Sequence, residues 1–209
     1  MVGPRRSFVA ILAFAGSVLP GYPQEPFTAR PAVTVAVYNF SPASSAVLGR
    51  AGGEAIRIFE DAGIELIWLE CPVSEDDPRQ PPDCRRQPGP TLLMLRILPR
   101  RREHDGAALS EPFGIARVNQ RGGVYADLFY SGIERLGSGT ELDLPRLFGS
   151  LAAHEIGHLL LGTHSHSRRG IMRALWSKND LRQAALGWLA FSADESHRLL
   201  QNLRVRIDT

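Results

Sequence analysis

The sequence predicts an α+β fold, and three observations carry that reading. Residues 32 to 70 alternate strand, helix and strand; three more short apolar runs follow, the last ending at Phe129; from Asp143 onward helical spacing takes over. Runs of strands followed by runs of helices are the arrangement that separates α+β chains from strictly alternating ones.

The chain opens with Arg5 and Arg6, an apolar run from Phe8 to Leu19, and Pro20-Gly21. Charged, apolar and helix-breaking segments in that order are the layout of a secretory signal peptide, assigned here to residues 1–24. A membrane span needs about 20 apolar residues. Cleavage and export are therefore expected, to a secreted or periplasmic location without stable membrane insertion. Residues 25–209 are expected to form a single domain, since a chain of about 185 residues suffices for one core.

Ala32 to Phe40 is β-branched and aromatic and lies between Pro31 and Pro42, so it reads as the first strand. Val47, Ala51, Ala55, Ile58, Phe59 and Ala62 then recur at helical spacing, with Gly63 as the stop. Ile64 to Glu70 is the second strand. This opening forms a right-handed parallel crossover, with Trp68 in the core. Cys71 and Cys84 flank a loop dense in proline and charge. In an exported chain they pair as a disulfide, which over such a loop contributes roughly 3 kcal/mol in the chain-entropy picture.

Thr91 to Leu98 is the third strand, and residues 99 to 105 make a charged turn holding His104. Ser110 to Val118 is extended but interrupted by Pro112 and Gly114, which marks an edge. Gly122-Gly123 turns the chain into a last strand ending at Phe129, and Ser131 to Thr140 reads as a flexible connection. Asp143 and Pro145 start a helix that Gly162 ends. Ser177 and Ser192 are N-cap candidates, the second with Glu195 three residues on as a capping box. The final helix carries Ala193, Leu199, Leu200 and Leu203, and Trp176 and Trp188 are assigned to the core.

The chemistry concentrates between Leu147 and Met172. His154 and His158 stand four residues apart among helix formers, so both imidazoles project from one helix face and can grip one metal ion. Glu155 follows the first histidine and lies beside such an ion, placed to take a proton from water rather than to be a ligand. This is the H-E-x-x-H pattern. A catalytic zinc site takes three protein ligands and leaves one position open. Beyond Gly162 come two histidines, His164 and His166, and either can swing back to the metal.

Here the stretch resembles the metzincin metalloproteases, whose signature is H-E-x-x-H-x-x-G-x-x-H followed by a methionine-containing turn. His164 keeps that family's spacing and is the preferred third ligand. Gly162 sits one residue later than the family places its glycine, and His166 suits a helix and loop each lengthened by one residue. His166 therefore stands as the alternative. The resemblance makes Gly170-Ile171-Met172 the Met-turn, with Met172 in the floor beneath the metal. It also implies a twisted, mixed five-stranded sheet with a zinc-binding helix and a C-terminal helix. The fourth strand is then antiparallel, at the edge above the zinc. An extended peptide adds there through main-chain hydrogen bonds, along Phe113, Gly114, Ile115 and Ala116. No tyrosine follows Met172 such as some members use as a further ligand, which leaves the subfamily open.

The expected function is that of a secreted zinc metalloendopeptidase acting on peptides or proteins, with Zn2+ as cofactor and Glu155 as general base. Two other readings stand beside it. One is a gluzincin-type hydrolase, whose third ligand is a downstream glutamate such as Glu195; the other is a secreted peptide-binding module that does not cut, against which the intact Glu155 argues. The formal charge is +2, and without Arg5 and Arg6 the remainder is neutral with no basic tail. Nucleic acid is thus not an expected partner, and a monomer is expected. Few residues separate the leader from the first strand, so no prodomain is expected to block the site.

Overall fold

The computed structural model describes residues 29–74, 76–78, 80–100, 113–119, 122–137 and 142–209. The leader, His104 and the first part of the expected edge strand (110–112) lie outside them. The elements are β1 (Ala32–Asn39), α1 (Ser45–Asp61), β2 (Glu65–Cys71), a single 3-10 turn (Pro82–Arg85), β3 (Leu92–Leu98), β4 (Gly114–Asn119), β5 (Gly122–Phe129), α2 (Tyr130–Gly137), α3 (Leu144–Leu161), α4 (Lys178–Ala185) and α5 (Ala193–Ile207).

The five strands form one mixed sheet in the order β2-β1-β3-β5-β4. The first four of these run parallel in adjacent pairs, and β4 alone is antiparallel, closing one edge against β5. A register shift at Arg117/Val118 marks a bulge in that edge. The period-two pattern of the strands decides which face is covered. Val33, Val35 and Val37 of β1 and Leu93, Leu95 and Ile97 of β3 point at α1 and α3, where they meet Ile58, Phe59, Phe148 and Ile156 in the main core. The intervening Ala36 and Leu92 point the other way, into a smaller cluster with Cys71 and Cys84. Those cysteines are joined as a disulfide, with Cα atoms 5.7 Å apart.

Caps fix where the helices begin. Ser44 accepts from the Val47 N–H, Asp143 from the Arg146 N–H, and Ser177 and Ser192 each open a reciprocal capping box. Among the described residues no helix is long and apolar enough to cross a membrane.

Two expectations need correction. The segment from Ser131 reads as flexible in the sequence, yet α2 continues straight out of β5 as far as Gly137, with Tyr130 and Ile133 buried. Trp188, assigned to the core, is 73% exposed. It follows Gly187, whose φ of +74° turns the chain out of α4 and leaves the indole on the surface.

Candidate metal centre

Helix α3 brings the first residues of the site together. It is buried along nearly its whole length, and His154, Glu155 and His158 are all buried on it. Helical spacing sets the two imidazoles side by side, with their Nε2 atoms 3.1 Å apart. Each Nδ1 donates to a backbone carbonyl: His154 to Ile171 at 2.7 Å, His158 to Thr163 at 2.8 Å. A carbonyl only accepts, so the proton of each neutral ring is assigned to Nδ1 and each Nε2 is left with a lone pair. Burial pushes His154 down to about 4, with the Ile171 bond opposing. Burial and then His154 push His158 to about 4 as well. Both rings are therefore neutral near pH 7, and two lone pairs face each other.

The third member of the group is His166. Its Nε2 lies 3.2 Å from that of His158, and its ring stacks on His154 with centroids 5.5 Å apart. Ligand atoms of His154, His158 and His166 all lie within 4.8 Å of one another. His164, which the metzincin spacing prefers, stays outside that group; its ring is 6.3 Å from that of His158 and it lines the same pocket from an exposed turn. The cause is local. Helix α3 runs to Leu161 before Gly162 ends it in the left-handed conformation, φ +67°, so the loop starts one residue late and needs two more to return. Glu195 is not in the group either. Its carboxylate accepts from the Ser192 N–H as the capping box of α5.

Three imidazole nitrogens brought this close form a donor set suited to a zinc ion, and a cation removes the repulsion between the lone pairs of His154 and His158. Burial moves His166 in the same direction as the other two, with His164 adding to it. The turn at residues 170–172 packs against the same helix. Met172 is 1% exposed, and a Cβ on Gly157 would lie 2.8 Å from its Sδ, so the glycine inside H-E-x-x-H is what lets the turn approach the helix.

Glu155 stands between α3 and the edge strand. A Cβ on Gly114 would meet Glu155 Cγ at 2.6 Å, so the carboxylate fits only because β4 has no side chain there. Burial pushes this carboxyl up to about 8; a backbone hydrogen bond from Ala116 pulls it down and Asp127 pushes it further up. A cavity of about 460 Å³ opens on Glu155 and the histidines, bounded by Phe113 to Ala116 on one side and Arg173 to Trp176 on the other. Phe113, Gly114, Ile115 and Ala116 of the expected edge strand are among the residues lining this cavity.

Trp176 was missed as a site residue. Its Nε1 donates at 3.2 Å to the Ile171 carbonyl that also accepts from His154, so two side chains orient one oxygen. Nothing in the sequence distinguishes this tryptophan from a core residue.

No family model and no curated protein matches the sequence. Solved structures do. Archaemetzincin from Methanopyrus kandleri is 16% identical with a TM-score of 0.52, over 83% of this chain and 97% of that one. Metalloproteinase-II from Bacteroides fragilis is 14% identical with a TM-score of 0.50, over 83% of this chain and 53% of that one. At these identities the likeness is one of fold alone.

Proposed function

We propose that this chain is a zinc-dependent endopeptidase of the metzincin type, with His154, His158 and His166 as ligands and Glu155 as general base. The observation that carries the reading is the convergence of three imidazole Nε2 atoms beside a buried carboxylate, under the open antiparallel edge of the sheet. Zinc held there supplies Lewis-acid polarisation of water and of the scissile carbonyl. A cation held by the histidines would favour the ionised form of Glu155 against its burial, and the carboxylate takes the proton of the attacking water and passes it to the departing amine. Residues Phe113 to Ala116 hold the substrate backbone extended, because β4 is an edge strand facing the cavity. His154 and His158 keep their lone pairs aimed inward through the carbonyls of Ile171 and Thr163.

Glu155→Ala tests the mechanism. The variant is expected to keep stoichiometric zinc and lose cleavage of an unfolded substrate such as casein; cleavage at the wild-type rate would remove Glu155 from the reaction.

The same reading places the protein outside the cytosol. The apolar run behind Arg5 and Arg6 and the Cys71–Cys84 disulfide support export. N-terminal sequencing is expected to find exported protein starting near residue 25; a start well beyond Val33 would mean that a prosegment is removed as well, and recovery of the chain only in the cytosol with its leader attached sinks the export assignment.

A further inference from the structure

Glu195 has a partner that a helix cap does not require. Its side chain is 1% exposed; Oε2 accepts from the Ser192 N–H at 2.7 Å, while Oε1 accepts the hydroxyl of Ser167. Ser167 is the residue after His166. Its own N–H donates to the Met172 carbonyl at 2.8 Å, and it pairs with Arg173 in a short parallel bridge. One turn further on, the Ile171 N–H donates to the Ala190 carbonyl at 3.1 Å. The loop carrying His166 is therefore closed at its base and fastened to the start of α5. His164 sits in the Thr163–Ser165 turn, where the two hydroxyls bond each other and the imidazole is exposed.

A carboxylate this deeply buried is tolerated only when donors satisfy it, and O–H to carboxylate bonds are among the strong ones. From this geometry we infer that Glu195 is a positioning residue for the third metal ligand: it fixes Ser167, and through Ser167 it fixes His166 against His158. The residue fastened to α5 adjoins His166, whereas the turn that holds His164 is bonded through Thr163 to His158 and Ser165 instead. This inference rests on His166 being a ligand.

The experiment uses the exported protein and measures zinc affinity by competition with a chromophoric chelator, together with the thermal midpoint of the zinc-stripped form. Ser167→Ala leaves the capping box of α5 intact. It is expected to weaken zinc about 10 to 100-fold, as loss of an outer partner of a ligand does, while the zinc-free form loses the stability of one buried hydrogen bond and stays folded at the assay temperature. Ser167→Thr, which keeps the hydroxyl, is expected to bind as wild type. Wild-type affinity in Ser167→Ala, an equally weak Ser167→Thr, or a zinc-free Ser167→Ala that is unfolded at the assay temperature each overturns the inference. His166→Ala separates the two readings. If it loses zinc while Ser167→Ala does not, only the positioning role falls; if it binds zinc as wild type, the ligand assignment falls and takes the positioning role with it.

Discussion

Gly114 sets where Glu155 can stand. A methyl group there would lie 2.6 Å from Glu155 Cγ and 2.7 Å from Oε1, and its three nearest neighbours all belong to Glu155. Gly114→Ala must therefore move the carboxylate first, and the three histidines are expected to stay in place. Displacement of a reacting group by about 1 Å costs on the order of 10²-fold in rate. We expect kcat/KM on casein to fall by roughly that factor with zinc content unchanged, and an unaltered rate would show that this contact does not hold the base. The residues on α3 were legible because a helix converts spacing into direction: His154 and His158 at four apart must share a face. The third histidine of the group was not legible in the same way. A helix turns about 100° per residue, so the single residue by which Gly162 is displaced redirects the chain, and only the folded loop shows that His166 returns where His164 does not. Glu195 was read correctly as a cap, but its bond to Ser167, 28 residues away in the chain, has no local signal.

At the scale of the elements, the site depends on how closely α3 is held to its neighbours. Gly149 faces α1 so tightly that a Cβ would lie 2.3 Å from the Ala51 carbonyl oxygen and 2.7 Å from Glu54 Cβ. Backbone cannot rotate aside as a side chain can. Gly149→Ala gains up to about 1 kcal/mol of helix propensity, yet overpacking of this kind costs typically 1 to 3 kcal/mol. A lower urea midpoint is expected, and a raised one would mean that α1 and α3 separate without cost. The strands and α1 could be read directly because their periods of two and 3.6 run uninterrupted between breakers. Helix α2 could not. Ser131, Gly132 and Gly137 read as a loop, and what makes the segment helical is burial of Tyr130 and Ile133 with Phe113 packed over Gly132. The converse error is Trp188, whose bulk suggested core although the turn at Gly187 directs it to solvent.

The whole molecule is a sheet with two differently used faces, and this separates stability from chemistry. Helix α3 and the histidines lie with the main core on one face. The disulfide lies on the other, packed with Ala36 and Leu92, and Tyr38 Oη donates to the Cys84 carbonyl at 2.6 Å. A link closing a loop with a sequence separation of 13 restricts mainly the unfolded chain. Its removal costs about 3 kcal/mol, and in a domain of this size each kcal/mol shifts the thermal midpoint by about 2 to 4 °C. The double substitution Cys71→Ser with Cys84→Ser is therefore expected to lower the midpoint by roughly 6 to 12 °C, while casein cleavage at 25 °C and zinc content stay at wild-type levels. Substitution is the right perturbation here, because a thiol reductant would also compete for the metal. A fall in 25 °C activity in protein that is still folded at that temperature would contradict the separation of the two faces. It would mean that the loop from Cys71 to Cys84 reaches the site through the sheet, along the Arg96–Asp127 pair that joins β3 to β5 at 2.7 Å.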